Sequence, residues 1–354
     1  MTTENIERRR NTVERGETLS NRIRDLAAEC GFSLAGVAPA GPVSDFDRYR
    51  DWVDRGLAGE MRYLTDHRAD VRSDPANLLP GVRSIISVGL LYNGPEPYST
   101  ELSDPERAWI SRYAWGEDYH TVIRAKLEAL AAKLQKTENF EWRACVDTAP
   151  LLERSLARDA GLGWIGKNTC LINQQSGSWF FLGELLTTLQ IEPNSPPPDR
   201  CGTCTRCIDA CPTAALTPYE LDATLCISYF TIELRSAIPA TKRSQIGLNV
   251  FGCDICQDVC PWNRKAAQTG ELREFAPPLE KMAALTEPEF RAMFRRTPVT
   301  RAKYSGFLRN VAVAMGNSGL EKFREPLTRL ANSPDALVAE HAFWALSQIG
   351  HKSA

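Results

Sequence analysis

Cysteine is the residue type in this sequence whose number and spacing point most directly to chemistry. Eleven cysteines occur in 354 residues, and eight of them lie between Cys201 and Cys260. The first four form the pattern C-x2-C-x2-C-x3-C-P, and three more, beginning at Cys253, repeat its end as C-x2-C-x3-C-P. In bacterial ferredoxins this run supplies three closely spaced thiolates to one [4Fe–4S] cluster and a fourth to the other. The spacing therefore predicts two [4Fe–4S] clusters and electron transfer.

The same rule divides the eight thiols between the two clusters. One cluster receives the first three cysteines together with Cys260, because the last cysteine of each run serves the other cluster. The second receives Cys253, Cys256 and Cys211 and then lacks one ligand. Cys226 is the cysteine left in this block. The predicted ligands are, in cluster order, Cys201, Cys204, Cys207 and Cys260, then Cys211, Cys226, Cys253 and Cys256.

Zinc is the alternative interpretation of this block. Structural zinc sites also use C-x2-C pairs, although the longer run ending in Cys-Pro is much more specific to iron–sulfur clusters. Cysteines clustered in a cytosolic chain favour metal or redox chemistry over disulfides. The other three cysteines stand singly and are predicted to be packed thiols; they are Cys30, Cys145 and Cys170.

Composition places the rest of the chain among ordinary globular proteins. Hydrophobic residues make up 43% and charged residues 24%, and the net charge is −2, which excludes a strongly basic nucleic-acid packaging protein but not a local basic face. No apolar run approaches the ~18 residues that span a bilayer. The polar N-terminus lacks the apolar core of a secretory signal. We therefore expect a cytoplasmic protein without membrane contact.

The elements that position these residues divide the chain into four parts. Residues 1–20 are predicted to be a flexible head, and residues 21–191 alternate helices with short apolar strands, as in an α/β domain. The linker EPNSPPPDR opens a ferredoxin-like part over residues 192–270. Residues 271–354 contain helices with short turns that resemble HEAT-type repeats, too few to form a solenoid alone. The predicted fold class is thus α+β.

Two acid–base residues stand out in the α/β part. Asp147 follows a predicted strand, where α/β folds place catalytic groups; the alternative is that Asp147 or Thr148 caps the next helix. His120, in Asp118-Tyr-His120, begins like the D-x-H-x-x-G segment of proteins that ligate cobalt through histidine, but Ile123 replaces the glycine. His120 is therefore equally consistent with a surface position and with a pocket.

Two further patterns have weaker interpretations. Residues 161–166 (GLGWIG) match the letters of a dinucleotide fingerprint, but a predicted helix precedes them and a strand follows, which is the reverse of the required context. They are predicted to form a tight turn. The stretch from Arg291 to Lys303 carries five basic residues and no acid, so it is either a phosphate-binding patch or an ordinary solvated face.

Five segments, together with the cysteine block and the helical tail, resemble one family, the epoxyqueuosine reductases. The likeness extends over roughly residues 20–350, and it is the combination that is specific. The segments are 111–120 (SRYAWGEDYH), 146–154 (VDTAPLLER), 160–168 (AGLGWIGKN), 177–185 (GSWFFLGEL) and 226–234 (CISYFTIEL).

The resemblance implies a function and a cofactor. Such enzymes reduce the epoxide of epoxyqueuosine at the wobble position of tRNA, giving queuosine, with cobalamin reduced through the two clusters by an external electron donor. They are similar to reductive dehalogenases, and their cobalt has no histidine ligand, which agrees with the broken D-x-H-x-x-G pattern. The resemblance implies a monomer whose cobalamin lies between the α/β and ferredoxin-like domains. The short helical tail is a departure from longer members.

The resemblance also implies site residues. Asp147 matches the proton donor, and we expect basic side chains, including the stretch from Arg291 to Lys303, to hold the tRNA backbone. Two alternatives from other classes are a cobalamin enzyme acting on a small molecule, like the reductive dehalogenases, and a non-enzymatic electron carrier. The positions that match cobalamin contacts are Arg72, Ser111, Asp147, Leu171, Leu182 and Ser228.

Overall fold

A computed structural model describes residues 18–95, 97–266, 268 and 276–349. The predicted flexible head lies outside these residues except at its end, where Thr18 caps the first helix through a hydrogen bond from the backbone N–H of Asn21. None of the described helices is both long and apolar enough to cross a membrane. The helices are α1 (Leu19–Glu29), α2 (Phe46–Asp54), α3 (Arg68–Val71), α4 (Tyr119–Leu134), α5 (Glu153–Asp159), α6 (Arg206–Asp209), α7 (Ala240–Arg243), α8 (Ile255–Asp258), α9 (Leu279–Ala283), α10 (Glu287–Met293), α11 (Lys303–Ser318), α12 (Arg324–Ala331) and α13 (Ala336–Gln348), with a single π-helical turn at Tyr229–Glu233.

The strands form one four-stranded sheet and three two-stranded pairs. The large sheet has the order β1-β2-β7-β4, and every neighbouring pair in it is antiparallel. The strands are β1 (Leu34–Pro39), β2 (Ser84–Leu91), β3 (Trp109–Ile110), β4 (Trp142–Cys145), β5 (Trp164–Ile165), β6 (Leu171–Ile172), β7 (Phe180–Thr187), β8 (Leu216–Thr217), β9 (Glu220–Leu221) and β10 (Asn249–Phe251).

The mixed content of helices and strands is confirmed, but the α/β interpretation of residues 21–191 is wrong in its topology. Alternating helices and strands suggested an α/β domain, whereas sequence periodicity carries no information on the direction in which strands pair. The antiparallel sheet makes this domain α+β. The argument that placed Asp147 at the carboxyl edge of such a sheet therefore does not apply, although Asp147 does follow the end of β4.

Helices cover both faces of the four-stranded sheet. Alternate residues of a strand point to opposite faces, so Ile86 of β2 packs with α1 and α4, while its neighbour Ile85 packs with α5. Each contact buries apolar side chains, which is the main driving force for forming these layers. The sheet is consequently held between two hydrophobic cores, and the ends of β4 and β7 are fixed relative to α5.

The C-terminal helices pack on the rest of the chain rather than forming a separate core. One hydrophobic cluster joins buried residues of α9 to α13 with Ala108, with Ile110 of β3, and with Val250 and Phe251 of β10. The strands β3 and β10 pair in parallel and connect the two parts. This packing brings the segment that precedes α11 close to the N-terminal domain.

The glycine-rich segment 161–166 forms a turn, as predicted. Gly161 has a φ of +81° and follows α5, where a left-handed residue commonly ends a helix. A side chain at Gly163 would lie 2.3 Å from the carbonyl oxygen of Ile172, because β5 and β6 approach closely here. Close backbone packing therefore explains these glycines.

Candidate active site

A cavity of about 830 Å³ opens between α2, the end of β4, the start of α5 and strand β7. Its lining includes Arg72, Asp147 and Leu182, which are three of the six positions proposed as cobalamin contacts. Aromatic side chains, among them Tyr63 and Tyr113, form much of its wall. A concave, mostly apolar cavity with a few convergent polar groups is the usual form of a cofactor or substrate site.

The other three proposed cobalamin contacts do not line this cavity. Ser111 is buried, and its hydroxyl donates a 2.5 Å hydrogen bond to the Asp254 carboxylate. Leu171 of β6 is buried in the core beneath α5. Ser228 lies just before the π-helical turn, with intermediate exposure.

Asp147 lies in a strained turn directly after β4. Its φ is +46°, and the backbone N–H of Thr148 donates to the carbonyl oxygen of Val146, which closes a γ-turn around Asp147. A γ-turn of this hand is rare and strained for a residue with a side chain. The next helix begins at Glu153 without a side-chain cap. Helix capping therefore does not explain Asp147, whose turn directs it into the cavity.

Two cationic side chains from distant segments approach the Asp147 carboxylate. His120 donates from Nε2 to Oδ2 of Asp147 at 3.0 Å and from Nδ1 to Asp118 at 2.6 Å. The guanidinium of Arg301 lies 3.9 Å from the same Asp147 oxygen and pairs with Glu233 at 2.7 Å. The two cations thus converge on one face of the carboxylate.

These contacts set the protonation of the site. Burial alone would raise the pKa of Asp147, but the hydrogen bond and charge of His120 and the charge of Arg301 outweigh it and lower that pKa. Burial opposes the charged form of His120, yet its bonds to the Asp147 and Asp118 carboxylates raise its pKa. In the resting protein the proton between His120 and Asp147 therefore resides mainly on the imidazole.

Aromatic residues give this charged cluster a low-dielectric wall. Tyr119 stacks on the His120 ring with centroids 4.1 Å apart, and Arg301 lies 5.3 Å from the centre of the Tyr63 ring. Burial raises the pKa of Tyr63 to about 12 and also raises that of Tyr119 and Tyr113. The phenols are consequently neutral hydrogen-bonding groups at physiological pH.

Electrostatic interactions link several of the clustered cysteines within each of the two predicted groups, whose assignment to separate clusters remains a prediction. Within the first group, the charges of Cys201 and Cys204 act on Cys207, and those of Cys201 and Cys207 act on Cys260. Within the second group, Cys211 acts on Cys226, and both of these act on Cys253. Cys253 and Cys226 in turn act on Cys256. Cys170, which is outside both predicted sets, also acts on Cys256 and on Cys260.

Local structure also suits the cysteines to cluster binding. The four-residue helices α6 and α8 each contain the penultimate cysteine of a run and end two residues before its last one, so the two loops share one local fold. Backbone N–H groups point at the sulfurs, as the N–H of Ala215 does toward Cys211 Sγ at 3.4 Å. Such hydrogen bonds are typical of iron–sulfur sites. In the described part of the chain, no three His, Cys, Asp or Glu side chains are arranged around a single metal ion.

One of the three supposed packed thiols lies beside the cysteine clusters. Cys170 interacts with Cys256 through a thiol hydrogen bond, which lowers the pKa of Cys170. The side-chain amide of Asn168 in the same turn donates to the Cys256 carbonyl at 3.2 Å. Cys30 and Cys145 lie in the N-terminal domain, where burial raises the pKa of each thiol.

The basic stretch from Arg291 to Lys303 does not form one continuous patch. Arg301 turns toward Asp147 and pairs with Glu233 at 2.7 Å, whereas Arg291 pairs with Glu287 at 2.6 Å. Arg295 and Lys303 are exposed and have no ion pair among the described residues. The stretch therefore combines an active-site cation with separate solvent-facing cations, a division that the sequence does not indicate.

Comparison with known proteins agrees with this arrangement. A family model described as "Epoxyqueuosine reductase QueG, DUF1730" matches residues 72–148. A second, described as a 4Fe-4S double cluster binding domain, matches residues 200–263. The first covers Asp147 and His120, and the second covers all eight clustered cysteines.

Curated relatives and solved structures match nearly the whole chain. Epoxyqueuosine reductase of Xanthomonas campestris is 44% identical over 93% of this chain and 96% of its own length, and that of Pseudomonas aeruginosa is 43% identical over 94% and 95%. A crystal structure of epoxyqueuosine reductase with an epoxyqueuosine-modified tRNA stem loop has a TM-score of 0.85, with 30% identity over 94% of this chain and 90% of that one. A Bacillus subtilis structure, described with its catalytic aspartate loop swung out of the active site, has a TM-score of 0.84 at 30% identity and the same coverage. This chain belongs to the epoxyqueuosine reductase family.

Proposed function

We propose that this protein reduces the epoxide of epoxyqueuosine in tRNA to give queuosine, with Asp147 as the proton donor. Family membership supports the reaction and the tRNA substrate. The position of Asp147 is the observation that supports the residue assignment. Asp147 faces the cavity from a strained turn, accepts a hydrogen bond from His120 and lies 3.9 Å from the Arg301 guanidinium. No capping role accounts for this carboxylate.

The residues present fit the cofactors that the family implies. The two cysteine sets would hold two [4Fe–4S] clusters, and the aromatic cavity with Arg72 and Leu182 would hold cobalamin. When bound, these groups supply the two low-potential electrons that the epoxide consumes. We extend the cobalamin site to Ser111 and Ser228, which lie in segments that match the family, and to Leu171, which follows such a segment.

The chain's own residues then handle the protons. Removal of the epoxide oxygen as water takes up two protons, and general acids typically accelerate such steps by about 10²–10⁴. Asp147 delivers protons to the oxygen. His120, which donates to Asp147 at 3.0 Å, holds one of the two protons at rest, and Arg301 fixes the carboxylate beside it. The aromatic rings beside the carboxylate lower the local dielectric on that side, which strengthens these interactions.

We further propose the division of labour along the chain. Residues 21–191 form the cobalamin and substrate domain, 192–270 the ferredoxin-like domain and 271–354 a HEAT-like region that contacts tRNA through exposed cations such as Arg295. The protein acts as a monomer in the cytoplasm, where thiols remain reduced, and receives electrons from an external donor of the flavodoxin or ferredoxin type.

Asp147→Asn tests the assignment directly. The amide keeps the size of the side chain but does not supply a proton. We expect turnover of epoxyqueuosine tRNA to fall at least about a hundredfold, as measured by mass spectrometry of nucleosides, with iron and cobalamin content unchanged. Glu117→Gln, at an exposed residue nearby, is the matched control. Wild-type turnover by Asp147→Asn would exclude Asp147 as the donor.

A further inference from the structure

Two carboxyl groups, the half-buried Glu153 and the fully buried Glu184, lie close to Asp147 and have no part in the mechanism above. Glu153, in the first turn of α5, accepts a 2.5 Å hydrogen bond from the backbone N–H of Asp147. Glu184 lies in the middle of β7 and is completely buried. Neither of its carboxylate oxygens has a hydrogen-bond partner at normal geometry. An isolated buried carboxylate is strongly disfavoured unless it is protonated.

The pair lies on the side of the sheet that faces the cavity. Glu184 is two positions from Leu182 on β7, so both side chains point to the face that α5 covers. Glu153 belongs to the cavity lining, whereas Glu184 lies behind it. The charges of Glu153 and Asp147 both act on Glu184, which shows that the three carboxyl groups are close to one another.

Polar side chains on the neighbouring strands surround Glu184. Ser87 of β2 and Cys145 of β4 stand directly opposite it in the register, and opposite residues share a face. The Ser87 hydroxyl is also buried without a partner. The sheet thus contains a polar row of three residues that ends near Glu153 and Asp147. Such a row stabilises the fold less than apolar residues would, and positions of this kind are often functional.

The raised pKa values of Glu153 and Glu184 suit a pair that stores a proton. Burial and the charge of Asp147 raise the pKa of Glu153 to about 7, and burial and the charge of Glu153 raise that of Glu184 well above its ordinary value. His120 acts on Glu153 from the cavity side in the opposite sense, while Cys145 faces Glu184 from β4. At neutral pH the pair therefore retains at least one proton, whereas Asp147 is ionised.

We propose that Glu153 and Glu184 form the proton reservoir that reloads Asp147 during turnover. This inference rests on the proposed role of Asp147. Each turnover breaks both C–O bonds of the epoxide, takes two electrons from the external donor and releases water, so it consumes two protons. His120 supplies one through Asp147, and the pair supplies the other by transfer from Glu153 to the Asp147 carboxylate. Glu184 then passes its proton to Glu153, and solvent refills the pair when the product leaves.

The test uses Glu153→Gln and Glu184→Gln in the full chain with both clusters and cobalamin present. The readout is the rate of queuosine formation in a single turnover of reduced enzyme across pH, in H₂O and D₂O. In the wild type the rate should fall as pH rises through about 7, because Glu153 loses its proton. Glu153→Gln should abolish this limb. Both variants should be at least about tenfold slower, with a larger solvent isotope effect and partial rescue by formate.

Controls separate this role from a structural one. Glu60→Gln changes a carboxylate that is hydrogen-bonded to Ser236 at 2.7 Å and has no described link to the pair, and it should behave as wild type. Wild-type rates with the pH limb intact in both Glu variants would overturn the reservoir. So would slow variants with full cofactor content but no formate rescue and an unchanged limb. If Glu184→Gln does not fold, Glu153→Gln at the cavity wall still decides the question.

The experiments distinguish an error in the proposed reservoir from an error in the proposed donor. If Asp147→Asn is inactive and both Glu variants are normal, only the reservoir is wrong. If Asp147→Asn is fully active, the proposed donor is wrong and the reservoir loses its acceptor.

Discussion

The cysteine loops and the Asp147 site differ in how their charges are balanced. Burial and the neighbouring thiols raise the pKa of Cys207, Cys253 and Cys260, because each thiolate repels the others. Asp147 instead has His120 and Arg301 as opposite charges, and the chain itself lowers its pKa. The negative charges of the cysteine thiolates are balanced only when metal ions bind, since metal binding deprotonates thiols. The Asp147 site is preorganised by protein groups alone.

The two regions also differ in the range of chain that builds them. The cluster ligands all fall within residues 201–260, and short helices repeat the same local geometry in both loops. The Asp147 site combines residues from four separate segments, because Arg301 reaches it from the C-terminal helical region. A substitution in the first region should therefore affect one cofactor. A substitution in the second should change a pH profile.

The largest expected effect is that of Cys260→Ser. Cys260 is far in sequence from the first three cysteines, but its thiol is grouped with theirs. We expect this variant to lose about half of its iron, because a [4Fe–4S] cluster requires its four thiolates, and to lose turnover. Iron analysis and EPR of the reduced protein measure this outcome. A full iron content would break the assignment of Cys260 to that cluster.

Cys170→Ser is the matched control for this prediction. Cys170 contacts Cys256 but lies outside both ligand sets. This variant should keep both clusters and its iron content, since eight other thiolates serve them. Loss of iron would show that Cys170 is a ligand and that one of the eight predicted cysteines is not.

Arg301→Gln tests the second region and has an intermediate effect. Removing a cation 3.9 Å from the Asp147 carboxylate destabilises the charged form and therefore raises the pKa of Asp147. Asp147 then holds a proton in a larger share of molecules and depends less on the supply from Glu153, so the basic limb near pH 7 should become shallower. The measurement is the single-turnover rate across pH. Arg296→Gln, which breaks an exposed pair with Glu117 at 3.3 Å, should leave the profile unchanged.

The sequence predicts these two regions to different extents. The ligand pattern is a matter of local spacing, so both cysteine groups follow from the sequence alone. Asp147 is recognisable by its position after a strand, but its partner His120 is 27 positions away, and no local pattern links them. Arg301 is visible as a basic residue, whereas its direction depends on how the helical region packs. Glu184 could have been predicted as a functional residue from the sequence, because it is a single acid within the apolar strand FFLGELL.

The smallest expected effect concerns the solvent-facing cations of the helical region. Arg295 is exposed without an ion pair in the described part of the chain, whereas Arg291 pairs with Glu287. A cation that contacts phosphate contributes about one unit to the slope of log affinity against log salt. Arg295→Ala should therefore lower the salt slope of tRNA binding by about one, and Arg291→Ala by less, because Glu287 already neutralises part of its charge. Fluorescence anisotropy with a tRNA anticodon stem loop over a salt series measures both slopes. Equal slopes for the wild type and Arg295→Ala would show that Arg295 does not contact phosphate and would place the tRNA on another face.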